Sequence, residues 1–283
     1  MPWQRSAMPM TDASTQRLAA AIEYDGLPFY GWQRQRQTPT VQACLEEALS
    51  QVADHPVEVH ASGRTDTGVH AWRQVVHFDV HVERSERSWV LGTQTHLHPG
   101  ISMVWAKPVA DDFHARYQAT ARHYRYRIIN RVHRPAIDRH RAAWVYQPLD
   151  AQAMHEAAQA LVGEHDFSSF RAAGCQAKHA TRAVHWVSVT RDGDAIEMDI
   201  QANAFLYHMV RNIIGSLLLV GRGERPIDWM GEVLAKKDRT QSGMTAPAHG
   251  LYFMRAVYPD HLGLPNEVCE SCKRDEPMSE LNE

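Results

Sequence analysis

Apolar and polar positions alternate along the chain, and the period of the alternation divides it into short strands and a few helices. Leu18, Ala20, Ile22 and Tyr24 alternate with smaller or polar neighbours and stop at Asp25-Gly26, which predicts a strand closed by a turn. Val41, Cys44, Leu45, Ala48, Leu49 and Val52 recur at helical spacing after Thr38-Pro39-Thr40, so a helix with a threonine cap is expected there. A short strand is expected over 57–61 and a longer one over 74–82. The longer one places Val76, Phe78, Val80 and Val82 on one side, with His77, Asp79 and His81 on the other. A helix over 85–95 and a strand over 101–107 complete the order β-α-β-β-α-β.

The second half repeats that order. Tyr124, Tyr126 and Ile128 alternate with Arg125 and Arg127 in a strand with an aromatic face and an arginine face. Asp150 suits the cap of a helix with Met154, Ala157, Ala158, Leu161 and Val162 turned inward and Gly163 at its end. Strands over 184–190 and 195–201 flank Asp192-Gly193, a strong hairpin signal. Helices are expected over 205–220 and 226–236, then a last strand over 251–258. Two such units predict an α+β fold of two ferredoxin-like subdomains, 17–112 and 113–260, with their sheets side by side and largely antiparallel. Residues 1–16 and 261–283 read as disordered flanks.

Composition limits the classes of function. The chain has 283 residues, 44% hydrophobic and 22% charged, an ordinary globular balance. Its longest apolar run, 213–220, is far short of the roughly 20 residues that span a bilayer, and no secretory signal opens it, so a cytoplasmic protein is expected. Four scattered cysteines do not make a disulfide framework. Cys269-Glu270-Ser271-Cys272 is a single CxxC, whereas a structural zinc site normally takes two such pairs. Metal-like spacings such as His77 and His81, or His96 and His98, lack a carboxylate or cysteine to complete a ligand set; exposed polar residues on a half-buried strand are the simpler reading. Gly221-Arg222-Gly223 is too short for a phosphate loop and fits a helix end.

The net charge of −3 is unevenly spread. Residues 261–283 carry six acidic and two basic side chains, whereas Phe113 to Tyr146 carries eight arginines, no lysine and one acid, Asp138, with aromatic residues interleaved. Arginine offers a planar fork to phosphate and stacks on bases, so this block is expected to face RNA or another polyanion.

Two residues invite chemistry. Asp66 lies in Ser62-Gly63-Arg64-Thr65-Asp66-Thr67-Gly68-Val69-His70, a loop between strands that either turns the chain through an aspartate bonded to its own backbone or carries a reactive group. Arg211 lies in a helix apolar on nearly every side; a buried guanidinium there needs an anionic partner. A carboxylate paired with it is ionised and fixed in direction, which suits a nucleophile.

Gly63-Arg64-Thr65-Asp66-Thr67-Gly68-Val69-His70-Ala71 resembles the catalytic signature of the TruA family of tRNA pseudouridine synthases, with Thr67 where alanine is common. Further blocks agree in order: Tyr24-Asp25-Gly26, Tyr30-Gly31-Trp32-Gln33, Phe113-His114-Ala115-Arg116, Arg122-His123-Tyr124-Arg125-Tyr126, Asp166 to Phe170, Phe205 to Asn212, and Gly250-Leu251-Tyr252. The resemblance covers roughly residues 17–260. It implies Asp66 as nucleophile, Arg211 as its ion-pair partner, Arg64 as guide of a flipped nucleotide and Tyr124 as the ring that stacks on the uracil. It also implies an active-site cleft between the subdomains, a homodimer, tRNA as substrate with targets at positions 38 to 40 of the anticodon arm, and neither metal nor organic cofactor. The competing readings are a non-catalytic RNA-binding protein on the same scaffold and a metal-dependent nuclease or deaminase, for which no ligand set is found.

Overall fold

The computed structural model describes residues 15–265, so the N-terminal lead-in up to residue 14, the CxxC pair and most of the acidic tail lie outside the described residues. Five α-helices and ten strands are described. The first half contains β1 (Gln16–Tyr24), α1 (Val41–Ala53), β2 (His60–Ala61), β3 (His70–Val80), α2 (Glu86–His96) and β4 (Ile101–Pro108). The second contains β5 (Ala121–Asn130), β6 (Ala143–Val145), α3 (Ala151–Ala158), β7 (Gly163–Asp166), β8 (Thr181–Asp192), β9 (Ala195–Ala202), α4 (Met209–Gly221), α5 (Trp229–Lys236) and β10 (Leu251–Val257).

All strands join one sheet in the order β4-β1-β3-β10-β5-β9-β8-β7, with β2 on β3 and β6 on β5. Within each half the four main strands follow the spatial order fourth, first, third, second, with antiparallel neighbours, which is the ferredoxin-like arrangement read from the repeat of elements. The halves are joined where β10 lies parallel to β3 through Tyr252 beside His70 and Phe253 beside Ala71. Farther along the same edge of β3, β2 pairs through His60 beside His77 and Ala61 beside Val76. Between these two short ladders the sheet is split, and the loop carrying Asp66 leaves from the split.

The helices start where capping chemistry allows. Thr40 Oγ1 accepts from the Ala43 amide, Ser85 Oγ from Ser88 and Asp150 Oδ1 from Ala153, each supplying a partner to an amide that the first helical turn leaves without one. Phe78 packs edge-on against Trp89 of α2, and both are fully buried. A ring buried in this way contributes roughly 2–3 kcal/mol.

Several expectations need correction. Residues 57–59 do not pair as a strand, because Ser50 Oγ and Glu46 Oε1 of α1 accept from the Val57 and Val59 amides at 2.9 and 3.0 Å. Val162 is not turned inward: after Ala158 the chain tightens into a 3-10 turn that leaves Val162 exposed, and Gly163 opens β7. The helix expected from Phe205 begins at Met209, because His208 adopts a left-handed conformation (φ 58°) that turns the chain before the helix. Nor is α4 buried on every side, since Arg211, Leu218 and Leu219 are half-buried. His77 is a buried residue, not an exposed one.

Candidate active site

The loop from Ser62 to Val69 is braced from several directions. The Ser62 amide donates to Val75 O at 2.8 Å and the Trp32 amide to Thr65 O at 3.0 Å. The buried hydroxyls of Tyr24 and Thr65 meet at 2.7 Å, and burial pushes the Tyr24 phenol well above its ordinary pKa. Gly31 adopts φ +83°, and a Cβ there would lie 2.9 Å from Thr65 O; one on Gly26 would lie 2.0 Å from Val69 O. Tyr24-Asp25-Gly26 and Tyr30-Gly31-Trp32 are therefore the bed on which this loop lies.

Asp66 turns the loop with its backbone: its carbonyl accepts from the Val69 amide at 3.1 Å. The carboxylate points elsewhere. Its Oδ2 lies 3.5 Å from Nη1 of Arg211 and 3.2 Å from Nε2 of His208. Among the described residues its side chain accepts from no amide of its own loop, so the carboxylate does not brace the turn.

Arg211 is itself fixed. Its Nε donates to Ala246 O at 2.8 Å, and the Ala246 amide donates back to Arg211 O at 3.1 Å. The segment 243–246 reaches this position because two glycines let it lie against α4: a Cβ on Gly215 would fall 1.6 Å from Met244 O, and one on Gly243 2.4 Å from Gly215 O. The next residue, Asn212, donates to Phe170 O and accepts from Arg239 and Thr245, which locks the rotation of α4.

Tyr124 comes from β5 and stands edge-on between Phe205 (4.9 Å) and Phe253 (5.2 Å), with its hydroxyl beside Gly63. Burial, and secondarily the Asp66 charge, push its phenol well above the ordinary value, so it stays protonated. Arg64 is exposed at the rim and makes no hydrogen bond or ion pair among the described residues. Asp66 and Arg64 thus come from the first half of the chain, and Arg211, His208 and Tyr124 from the second.

His208 was not singled out from sequence, although it stands three residues before Arg211, a spacing that puts two side chains on one helix face. The arginine block also divides differently. Arg125 is buried and paired with Glu197 (3.1 Å) and Asp199 (3.0 Å), and Arg127 pairs with Glu197 (3.0 Å), so their strand face is neutralised by acids of β9. Arg122 bonds the carbonyls of Ala119, Asn203 and Ser62 at 3.0 to 3.2 Å, backing the Asp66 loop. Arg116, Arg131, Arg134, Arg139 and Arg141 remain exposed. Among the described residues no group of three or more His, Cys, Asp or Glu could hold a metal ion, and no helix is long and apolar enough to cross a membrane.

The site thus brings together an ion-paired carboxylate, an enclosed ring and an exposed arginine. A family model described as tRNA pseudouridine synthase matches residues 20–118 and 157–259. Among curated proteins, tRNA pseudouridine synthase A of Hydrogenovibrio crunogenus is 53% identical over 253 residues, covering 89% of this chain and 97% of its own length. The Shewanella amazonensis protein of the same name is 56% identical over 249 residues, 88% and 95% of the two chains. A solved archaeal box H/ACA sRNP Nop10-Cbf5 complex aligns over 84% of this chain and 48% of its own at 12% identity and a TM-score of 0.33, too slight a likeness to carry an argument. The chain belongs to the TruA family of tRNA pseudouridine synthases. It is an isomerase whose product is pseudouridine in tRNA.

Proposed function

We propose that the enzyme isomerises uridines 38, 39 and 40 of the tRNA anticodon arm, with Asp66 as nucleophile and Arg211 as its ion-pair partner. The observation that carries this reading is the Asp66–Arg211 contact at 3.5 Å, which joins a loop of one half to a helix of the other. The target atoms of a stacked stem are shielded, so the nucleotide must be extruded at a cost of a few kcal/mol. Arg64, exposed and free of partners among the described residues, is placed to guide the flipped nucleotide. Tyr124 is the ring the uracil meets. Only 9% of its surface is open, so stacking on it requires Phe205 or the loop to move aside as the base enters.

The reaction breaks the C1′–N1 bond, turns the base and joins C1′ to C5; the C5 hydrogen leaves as a proton and N1 gains one. Asp66 serves by capture of C1′, by addition to C6 or by removal of the 2′ proton. All three need an ionised carboxylate held in direction. The division into units 17–112 and 113–260 follows the ferredoxin-like order on each side of the β3–β10 junction. A homodimer in the cytoplasm, working without metal or organic cofactor, completes the reading by family resemblance.

The test uses tRNA tritiated at uridine C5. Wild-type protein releases tritium and Asp66→Asn releases none, while derivatisation maps the product to positions 38 to 40. Full release by Asp66→Asn, or product confined to another arm of the tRNA, refutes the proposal.

A further inference from the structure

The imidazole that faces Asp66 has no part in the mechanism above. His208 is the residue before the first turn of α4, and its left-handed backbone (φ 58°, ψ 9°) is uncommon for any side chain but glycine, although histidine tolerates it better than most. That conformation leaves the helix start with no side-chain cap, so the side chain is free for another use. It is spent on the carboxylate: Nε2 lies 3.2 Å from Asp66 Oδ2, the same oxygen that Nη1 of Arg211 approaches at 3.5 Å. Among the described residues Asp66 Oδ1 accepts no hydrogen bond, and the imidazole has no polar partner besides this carboxylate. Tyr207 stacks on the outer side of the imidazole at 3.9 Å and limits its rotation.

We propose that His208 is a positioning residue for Asp66: with Arg211 it holds Oδ2 from the start of α4, so that Oδ1 is the oxygen presented to the flipped nucleotide. This rests on the reading of Asp66 as nucleophile. The helix start adds its own field, since the amide end of a helix attracts negative charge. Three charged groups face the imidazole: Asp66 from the loop, Arg211 from α4 and Arg239 from the 3-10 turn at Arg239–Gln241. Burial lowers its pKa most, Asp66 opposes this and the two arginines add to it, so it titrates below the ordinary 6.5 and is neutral at pH 7. Protonation of the imidazole places a second full positive charge next to Oδ2, beside the Arg211 guanidinium, and weakens the carboxylate as a nucleophile. Activity therefore falls as the pH drops through the imidazole pKa.

The experiment follows tritium release from C5-labelled tRNA by wild type, His208→Gln and His208→Gly. His208→Gly removes the imidazole while relieving the positive φ, so its thermal midpoint stays at or above that of wild type. Its kcat falls roughly ten- to hundredfold with KM little changed, the signature of a misdirected reacting group. His208→Gln, whose amide reaches the same oxygen, recovers most of the rate. It also loses the acid limb that wild type shows below pH 6.5, because an amide does not titrate there. Wild-type kcat in the folded glycine variant, a loss confined to KM, or an acid limb unchanged in the glutamine variant overturns the proposal. A wild-type protein that releases no tritium instead overturns the reading of the reaction itself.

Discussion

Acid should loosen the segment that ties the two halves together, and His77 is the group through which it acts. The imidazole sits on β3, buried against Phe113 and between the rings of His60 (4.9 Å) and His114 (4.6 Å). Its Nδ1 accepts from the Ala115 amide at 3.2 Å, while Tyr258 donates to Ala115 O at 2.6 Å. Burial, reinforced by the two flanking imidazoles and Arg17, lowers its pKa from 6.5 to about 4. The unfolded chain takes up a proton below pH 6.5 that the folded chain refuses, so stability is full above that value and declines as the pH falls towards 4. At pH 5 the ratio of the two binding polynomials is about 30, which corresponds to about 2 kcal/mol. Water reaches His60 and His114 and screens part of this, leaving about 1 to 2 kcal/mol. In a chain of this length that lowers the thermal midpoint by about 2 to 4 °C. The control is His77→Asn, which keeps an acceptor for the Ala115 amide and cannot titrate. Thermal and urea unfolding at pH 7 and pH 5 should show a steeper loss for wild type than for the variant. Parallel losses in the two proteins refute the reasoning.

Two further expectations concern the site. Gly215→Ala drives a methyl group into Met244 O and pushes 243–246 off α4, costing about 3 kcal/mol or more and withdrawing the Ala246 carbonyl from Arg211. Gly231→Ala, whose new methyl meets Ala160 Cβ at an ordinary 3.7 Å, should stabilise α5 by up to about 1 kcal/mol; calorimetry and tritium release on the pair separate the steric effect from helix propensity. Arg64→Ala removes an exposed side chain without partners among the described residues, so its unfolding free energy should stay within about 0.5 kcal/mol of wild type. Its tritium release should nevertheless fall at least tenfold, roughly one lost charged hydrogen bond; a large drop in stability would show that Arg64 supports the fold.

The order of strands and helices was legible because the large apolar side chains of β1 and β3 fall on alternate positions, even though the residues between them, such as Ala19, Ala21 and His77, are buried too. The alternation failed at 57–59, where side chains of α1 supplied hydrogen bonds that the pattern assigned to a neighbouring strand. It failed again at Phe205 to His208, where an apolar run continues through a left-handed residue that periodicity does not register. At the site, Asp66 and Arg211 could be singled out as a loop carboxylate and a helix cation, but their pairing depends on a contact between the two halves that no local pattern encodes. The arginine block was legible only in part for the same reason: Glu197 and Asp199, which neutralise Arg125 and Arg127, lie some 70 residues away on β9.

The separation of 145 residues between Asp66 and Arg211 also sets the order in which the site comes into being. A ribosome adds roughly 5 to 20 residues per second, so on the order of ten seconds pass between the emergence of the carboxylate and that of its cation. The carbonyl that steadies Arg211 and the strand that joins the two half-sheets emerge later still, at Ala246 and Leu251 to Val257. A nascent chain thus carries the arginines of 113–146 before it has the cation that faces Asp66. A chain that ends before Arg211 therefore has the carboxylate of Asp66 without the guanidinium that faces it in the folded protein.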